Sequence, residues 1–337
     1  MSSENPIDLD ELKRNGKIFR ENRCATILDI GDRIGLVEFH TKANSLNDEV
    51  CDMLMIASEE GPVAFDALVI GNRGKHFSAG ANLAFVLETA REKKWAVLDQ
   101  TIRKLQAASM TLKYGPLPVV AAPFSNALGG GCEVCLHSAG VVIATGTNIG
   151  LVETGVGLIP AGGGTKELGL RAQQQAAASG LTDLLPSLQK VFETIVSAKL
   201  TIAGVGPKEP FLDEKTIVVG SPGSPIGIAK EAALNLVHSG YSNGKLRMDI
   251  PVVGSKGVRA FQTQIDKMCD VIAITEHDAV IALKVATILC GGDQPAGVAS
   301  EQHFLDLERE AFLSLLATKK TQERIAFLLE NNKPLRN

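Results

Sequence analysis

The sequence predicts an α/β protein in which short apolar strands run through glycine-rich loops into helices. Three observations carry that prediction. Strand-like and helix-like periods alternate along the first half of the chain, as parallel strands joined by helical crossovers require. Both glycine-rich loops that carry candidate chemistry, at residues 76–83 and 128–133, follow a strand, and functional loops of such sheets gather at the strands' carboxyl ends. From about residue 175 the pattern turns to helices with alanine-rich faces, while aromatic residues make up only 4% of the chain.

The elements follow in order. Residues 25–40 read as a hairpin: ATILDI alternates, GDR turns the chain, and IGLVEFH alternates again. In KANSLNDEV, Asn47 or Asp48 caps a helix that runs through MLMIASEE. A strand at Asp66–Gly71 ends in the loop NRGKHFSAGANL. Residues 84–112 have helical periodicity until Pro116 and Pro118 break it. The strand Val119–Pro123 leads to Leu128-Gly-Gly-Gly-Cys-Glu133 and a short helix, then to the strand Val141–Ala144 and a glycine-rich region through Thr165. A loop-rich stretch, IAGVGPKEPFLDEKTIVVGSPGSP, precedes two apolar helices near 270–290 and 304–331. The alanine-rich helices suit helix–helix packing or a subunit interface.

Composition narrows the function. The 337 residues are 45% hydrophobic and 21% charged, ordinary for a globular protein with a sizeable core. A net charge of -4 gives nucleic-acid binding no electrostatic support. The polar start, MSSENPIDLDELKRNG, has no apolar signal region, and no apolar run reaches the roughly 20 residues of a membrane span. A cytoplasmic protein with no membrane contact is expected. The six cysteines read as reduced thiols. Cys132-Glu-Val-Cys135 has no second ligand pair to complete a zinc site, so its cysteines belong to a buried helix face and no metal is expected.

Three segments carry candidate chemistry. Gly129-Gly130-Gly131 lets a backbone approach a ligand closely, and the helix behind it aims free amides at that space. Taken alone, the triplet is equally a tight strand–helix junction. The loop His76–Leu83 is also small-residued, and two such loops together can aim one amide each at a carbonyl oxygen, as an oxyanion hole does. Ser78 as a nucleophile lacks a G-x-S-x-G elbow. Within the stretch Gly150–Thr165, Gly157–Gly162 matches only the first half of a P-loop, because Gly163-Gly164 stand where Lys-Ser/Thr must follow. No G-x-G-x-x-G joins a strand to a helix, so a nicotinamide dehydrogenase is unsupported. Glu133 and Glu153, each alone, read as solvated surface.

HFSAGANL, LGGGCE and GLVETGVGLIPAGGGTKEL, in this order and spacing, resemble the three signatures of the enoyl-CoA hydratase/isomerase (crotonase) superfamily, and KANSLN resembles its earlier segment near the CoA adenine. The resemblance spans about residues 25–200. It implies a ClpP/crotonase-like spiral of ββα units with a C-terminal helical region that builds trimers or dimers of trimers. The expected organisation is an N-terminal extension (1–24), a spiral core (25–200) and a helical oligomerisation region (201–337).

Carried over residue by residue, the resemblance makes the amides of Ala81 and Gly130 the oxyanion hole, with Glu133 handling water and Glu153 donating the proton to Cα. It places Lys42, Ala43, Ala79, Gly80 and Asn82 against the acyl-CoA, together with Leu83, Gly129, Pro160 and Gly162. Coenzyme A enters as part of the substrate, and no separate cofactor is implied. Members that only shift a double bond commonly lack the first glutamate, so having both favours hydration over Δ3–Δ2 isomerisation. A non-catalytic acyl-CoA-binding module is the alternative from another class. Asn82 stands where the family usually has Asp, and Phe124-Ser125 replaces its usual Asn-Gly. FLDLEREAFLSLL and KTQERIAFLLENNKPLRN resemble the end of bacterial bifunctional 3-hydroxyacyl-CoA dehydrogenases. That second resemblance implies either a stand-alone relative or an excised C-terminal part, with the dehydrogenase domain absent from this chain.

Overall fold

The computed structural model describes residues 7–206, 210–220, 225–271 and 273–337. Residues 1–6 of the expected N-terminal extension, and 207–209 and 221–224 of the loop-rich stretch, lie outside the described residues. The chain divides into two units. The first comprises residues up to Ala81, Lys104–Gly150 and Leu200–Lys245; the second comprises Asn82–Arg103, Leu151–Lys199 and Leu246–Asn337.

The first unit is built on two sheets. Its strands are β1 (Ile18–Glu21), β2 (Ala25–Asp29), β3 (Ile34–Phe39), β4 (Ala67–Ile70) and β5 (Val119–Ala121), then β6 (Asn126–Leu128), β7 (Gly140–Ala144), β8 (Asn148–Gly150), β9 (Thr201–Ile202) and β10 (Ile217–Val219). The larger sheet has the order β1-β2-β3-β4-β5-β7-β10 and the smaller β6-β8-β9. The predicted hairpin is β2–β3, registered from Ala25↔Phe39 to Asp29↔Gly35. Its turn places Gly31, Asp32 and Arg33 all at positive φ. From β3 onward neighbouring strands of the larger sheet are parallel. β4 is buried at every position, as expected for a parallel strand covered on both faces.

The repeat is legible in the pairing. β5 and β7 pair in the larger sheet while β6 and β8 pair in the smaller, and a helix follows each β-β pair. One face of the larger sheet buries Leu28, Leu36, Val69, Val120 and Val142 against Ile226, Ala229 and Ala233 of the helix Ile226–His238. Leu9 joins them from the helix Leu9–Arg14, which Asp8 caps by accepting the Asp10 and Glu11 amides at 2.9 and 3.1 Å. Gly71 is needed beneath the covering helix, since a Cβ there would stand 2.7 Å from Ile226 Cγ1. Residues 201–245, read from sequence as the start of a helical region, thus contribute two strands and a covering helix to the first unit.

The second unit is mainly helical. Glu276–Leu289 packs on Gly164–Ala178, Leu185–Val196 and Gly254–Asp270, and its Ala282, Val285 and Ala286 are fully buried. Alanines on that face let the helices approach closely. A short antiparallel pair, β11 (Ile250–Val252) and β12 (Gly297–Ala299), joins them. The periodic stretch 84–112 forms two helices, Leu83–Arg91 and Trp95–Tyr114, broken at Lys93 with φ 56; from Lys104 the second of them belongs to the first unit. The stretch 304–331 likewise divides into Glu301–Leu316 and Lys319–Asn331, because Thr318 caps the second by accepting the Thr321 amide at 3.3 Å. Among the described residues no helix is long and apolar enough to cross a membrane.

Candidate active site

In the first unit, two glycine-bearing loops and the KANSLN turn meet at the strand ends. Asn44, buried in the KANSLN turn, donates through Nδ2 to the carbonyls of Arg73 (2.8 Å) and His76 (2.9 Å). Ala43 accepts the Ala79 amide at 3.1 Å, so these two predicted residues are adjacent, with Lys42 exposed beside them. Ser78 N–H bonds Asn126 C=O (3.1 Å) and Leu128 N–H bonds Ser78 C=O (3.0 Å), which stitches the HFSAG loop to the strand before the glycine triplet. Ser78 is fully buried and its Oγ accepts the Gly80 amide at 3.2 Å. It shapes the loop; it is not exposed as a nucleophile.

The close approach demands glycine. A Cβ on Gly80 would lie 2.9 Å from Leu128 O and 3.3 Å from Gly130 N, and one on Gly130 would lie 2.8 Å from Leu46 Cδ1. Gly129, with φ 53 and ψ -123, starts the helix Gly130–Leu136 with no side-chain cap, so its first amides project from the helix end. The Gly80 carbonyl accepts the Leu46 amide at 2.9 Å. Across a trans peptide the Ala81 N–H points the opposite way, away from Leu46. Ala81 and Gly130 therefore sit on two loops that touch backbone to backbone. Glu133 is in the same short helix, 2% exposed and one turn beyond Gly130. A carboxylate there is favoured by the helix N-terminus. Cys132 and Cys135 are buried on this helix as the sequence predicts. All six cysteines are thiols, and burial pushes Cys51 and Cys290 up to about 12.

In the second unit, Glu153 opens a single helical turn, Glu153–Val156. Leu158 N–H closes onto Glu153 C=O at 3.1 Å, and Thr154 Oγ1 donates to Ile195 C=O at 2.9 Å. Pro160 and Gly162 are buried, and Pro160 C=O accepts from Thr165 Oγ1 at 3.1 Å. The helix Gly164–Ala178 is capped from a distance: Glu308 accepts the amides of Gly163 (2.8 Å) and Lys166 (2.7 Å). A protein carboxylate thus stands where a P-loop holds phosphate. Asn82 caps Leu83–Arg91 by accepting the Phe85 amide at 3.2 Å, a task Asn and Asp perform equally. Among the described residues no group of three His, Cys, Asp or Glu is arranged to hold a metal ion.

Sequence reasoning missed Glu308 and Thr321, which lie 145 and 164 residues from the glycines they brace, and His277, which backs Thr321 from 44 residues away. Burial lowers the His277 pKa below its ordinary value, Arg324 and Lys320 add to this, and Asp278 opposes it. With a depressed folded value, His277 contributes stability above its unfolded pKa of about 6.5 that is lost as pH falls through the folded value. Urea unfolding at pH 7.5 and 5.5 is expected to show wild type losing more stability on acidification than His277→Gln. Equal losses refute this.

The alternating two-sheet ββα arrangement with its helical second unit is the crotonase fold. Residues 29–182 match the enoyl-CoA hydratase/isomerase family. A probable 3-hydroxyacyl-CoA dehydrogenase of Bacillus subtilis is 37% identical over 333 residues, covering 98% of this chain and 41% of that protein. The chain therefore spans well under half the length of that relative. A crotonyl-CoA hydratase of Syntrophomonas wolfei is 30% identical over 131 residues, covering 37% of this chain and 48% of that protein. In fold, an enoyl-CoA hydratase from Bacillus halodurans superposes with a TM-score of 0.60 at 14% identity, covering 90% of this chain and 98% of that one.

Proposed function

We propose that this chain adds water across the double bond of a 2-enoyl-CoA. The observation that carries the reading is the pair of glycine-bearing loops presenting the Ala81 and Gly130 amides, with Glu133 buried one turn along the same helix. In the proposed reaction, Glu133 takes a proton from water as its oxygen bonds Cβ. The π electrons move toward the thioester, whose oxygen gains enolate charge and is stabilised by the two amides. Glu153 then delivers a proton to Cα, and the enolate collapses to the 3-hydroxyacyl thioester. Neither step draws on a separate cofactor. The family resemblance supports the role of Glu153, and the relatives' names support the substrate. The product of this hydration is the substrate class named by the Bacillus subtilis relative, a probable 3-hydroxyacyl-CoA dehydrogenase, which fits a place in fatty-acid β-oxidation.

The test is loss of the conjugated-enoyl absorbance of crotonyl-CoA in the presence of the purified chain, beside a β,γ-enoyl-CoA under the same conditions. Hydration of the first substrate supports the reading. Conversion of the β,γ-isomer without hydration replaces it with Δ3–Δ2 isomerisation. Binding of both thioesters without turnover leaves only the non-catalytic module.

A further inference from the structure

Glu153 is carried on one helical turn of four residues, Glu153–Val156, and an isolated turn of that length is not self-supporting. Its closing residue, Gly157, has φ +83, and a Cβ there would lie 2.9 Å from Thr321 Oγ1 and 3.1 Å from Thr321 Cα. The helix Lys319–Asn331 thus bears directly on the end of this turn, at a point where only glycine fits. Thr321, fully buried, donates its hydroxyl to Gly157 C=O at 2.8 Å.

A threonine has one hydroxyl proton, and here Gly157 receives it. The 2.8 Å contact between Thr321 Oγ1 and His277 Nε2 must then have the imidazole as donor. The polarity of the chain is fixed: His277 Nε2–H to Thr321 Oγ1–H to Gly157 O=C. Such a chain strengthens each of its links. His277 is itself 5% exposed, on the helix Glu276–Leu289. At the other side of the turn Thr154 is tied to Ile195.

We infer that Thr321, backed by His277, is the positioning residue for Glu153, holding its carboxylate where it exchanges a proton with Cα of the thioester. This rests on the reading that Glu153 moves the Cα proton; it does not depend on hydration. The probe is butyryl-CoA in D₂O, a saturated thioester whose Cα hydrogens exchange without any water addition. Thr321→Val keeps the shape and removes the hydroxyl; Thr321→Ser keeps the hydroxyl. Expected for Thr321→Val is at least a tenfold fall in the kcat of Cα exchange with KM within twofold, and faster amide hydrogen exchange across residues 153–158. Expected for Thr321→Ser is recovery of both. If Thr321→Val does not fold, His277→Leu is read the same way, with at least a threefold fall.

Exchange within twofold of wild type in the valine variant overturns the inference, as does unchanged amide protection. A serine variant as impaired as valine overturns it too, because a purely steric role then suffices. A wild type that exchanges no Cα hydrogen overturns it, since Glu153 then moves no proton. A wild type that exchanges Cα hydrogen but does not hydrate crotonyl-CoA sinks the hydratase reading alone.

Discussion

Glu133→Gln is expected to lower crotonyl-CoA hydration by about 10²–10⁴, the usual contribution of a positioned acid or base. Glutamine has the volume of glutamate and fits the same buried space, so a change in unfolding free energy below about 1 kcal/mol is expected. The two proposed roles divide the outcome. Glu133 acts on water, so its loss should leave Cα hydrogen exchange of butyryl-CoA within a few-fold of wild type. Glu153→Gln should abolish both exchange and hydration. Absorbance assays and mass-resolved exchange on the same three preparations check this. Normal hydration by Glu133→Gln would sink the assignment of the water-handling role.

Lys166→Met is expected to cost about 3–5 kcal/mol of stability, the range for breaking a buried ion pair from one side. Lys166 Nζ lies 3.1 Å from Glu301 Oε1 with both side chains fully buried, and 3.3 Å from Glu167 Oε2. Methionine matches the lysine stem but removes the cation, and the buried carboxylates that faced it stay behind. The cost is therefore mostly desolvation left uncompensated, and it should be partly relieved by Glu301→Gln in the same chain. The double variant is expected to regain at least about 1 kcal/mol over Lys166→Met, because removing both charges is far cheaper than stranding one. Urea denaturation of the two single variants and the double variant measures the coupling. A double variant no more stable than Lys166→Met would mean that Glu301 does not depend on that cation.

The parts of the fold legible in sequence were those written locally. The β2–β3 hairpin is announced by alternation around Gly31-Asp32-Arg33, and the Asn47 cap by its place before an amphipathic run; Asn47 Oδ1 accepts the Val50 amide at 2.9 Å. The glycine loops were legible for the same reason, since a position where a Cβ would stand 2.9 Å from Leu128 O and 3.3 Å from Gly130 N leaves glycine in the sequence. What escaped was non-local. β10 is a three-residue strand amid glycine and proline, and it becomes a strand only by pairing with β7, some 75 residues earlier. The Thr321–Gly157 bond joins residues 164 apart, and neither residue announces the other. Asn82 differs from the family's usual aspartate, yet its cap is intact, so the departure leaves the local structure unaltered.

The division of the chain also sets an order of completion during synthesis. The first unit needs residues as late as Lys245, because its covering helix and edge strand come after the whole segment 151–199 has been made. The second unit begins at Asn82 but needs the helices that end near residue 331. Neither can be finished as its own N-terminal portion emerges, and the apolar face of the larger sheet must wait for Ile226, Ala229 and Ala233 to cover it. No single cut in the polypeptide separates one unit from the other. A library of truncations should therefore yield no soluble half, and the shortest piece able to fold the sheet unit must carry the second unit's inserted segments with it.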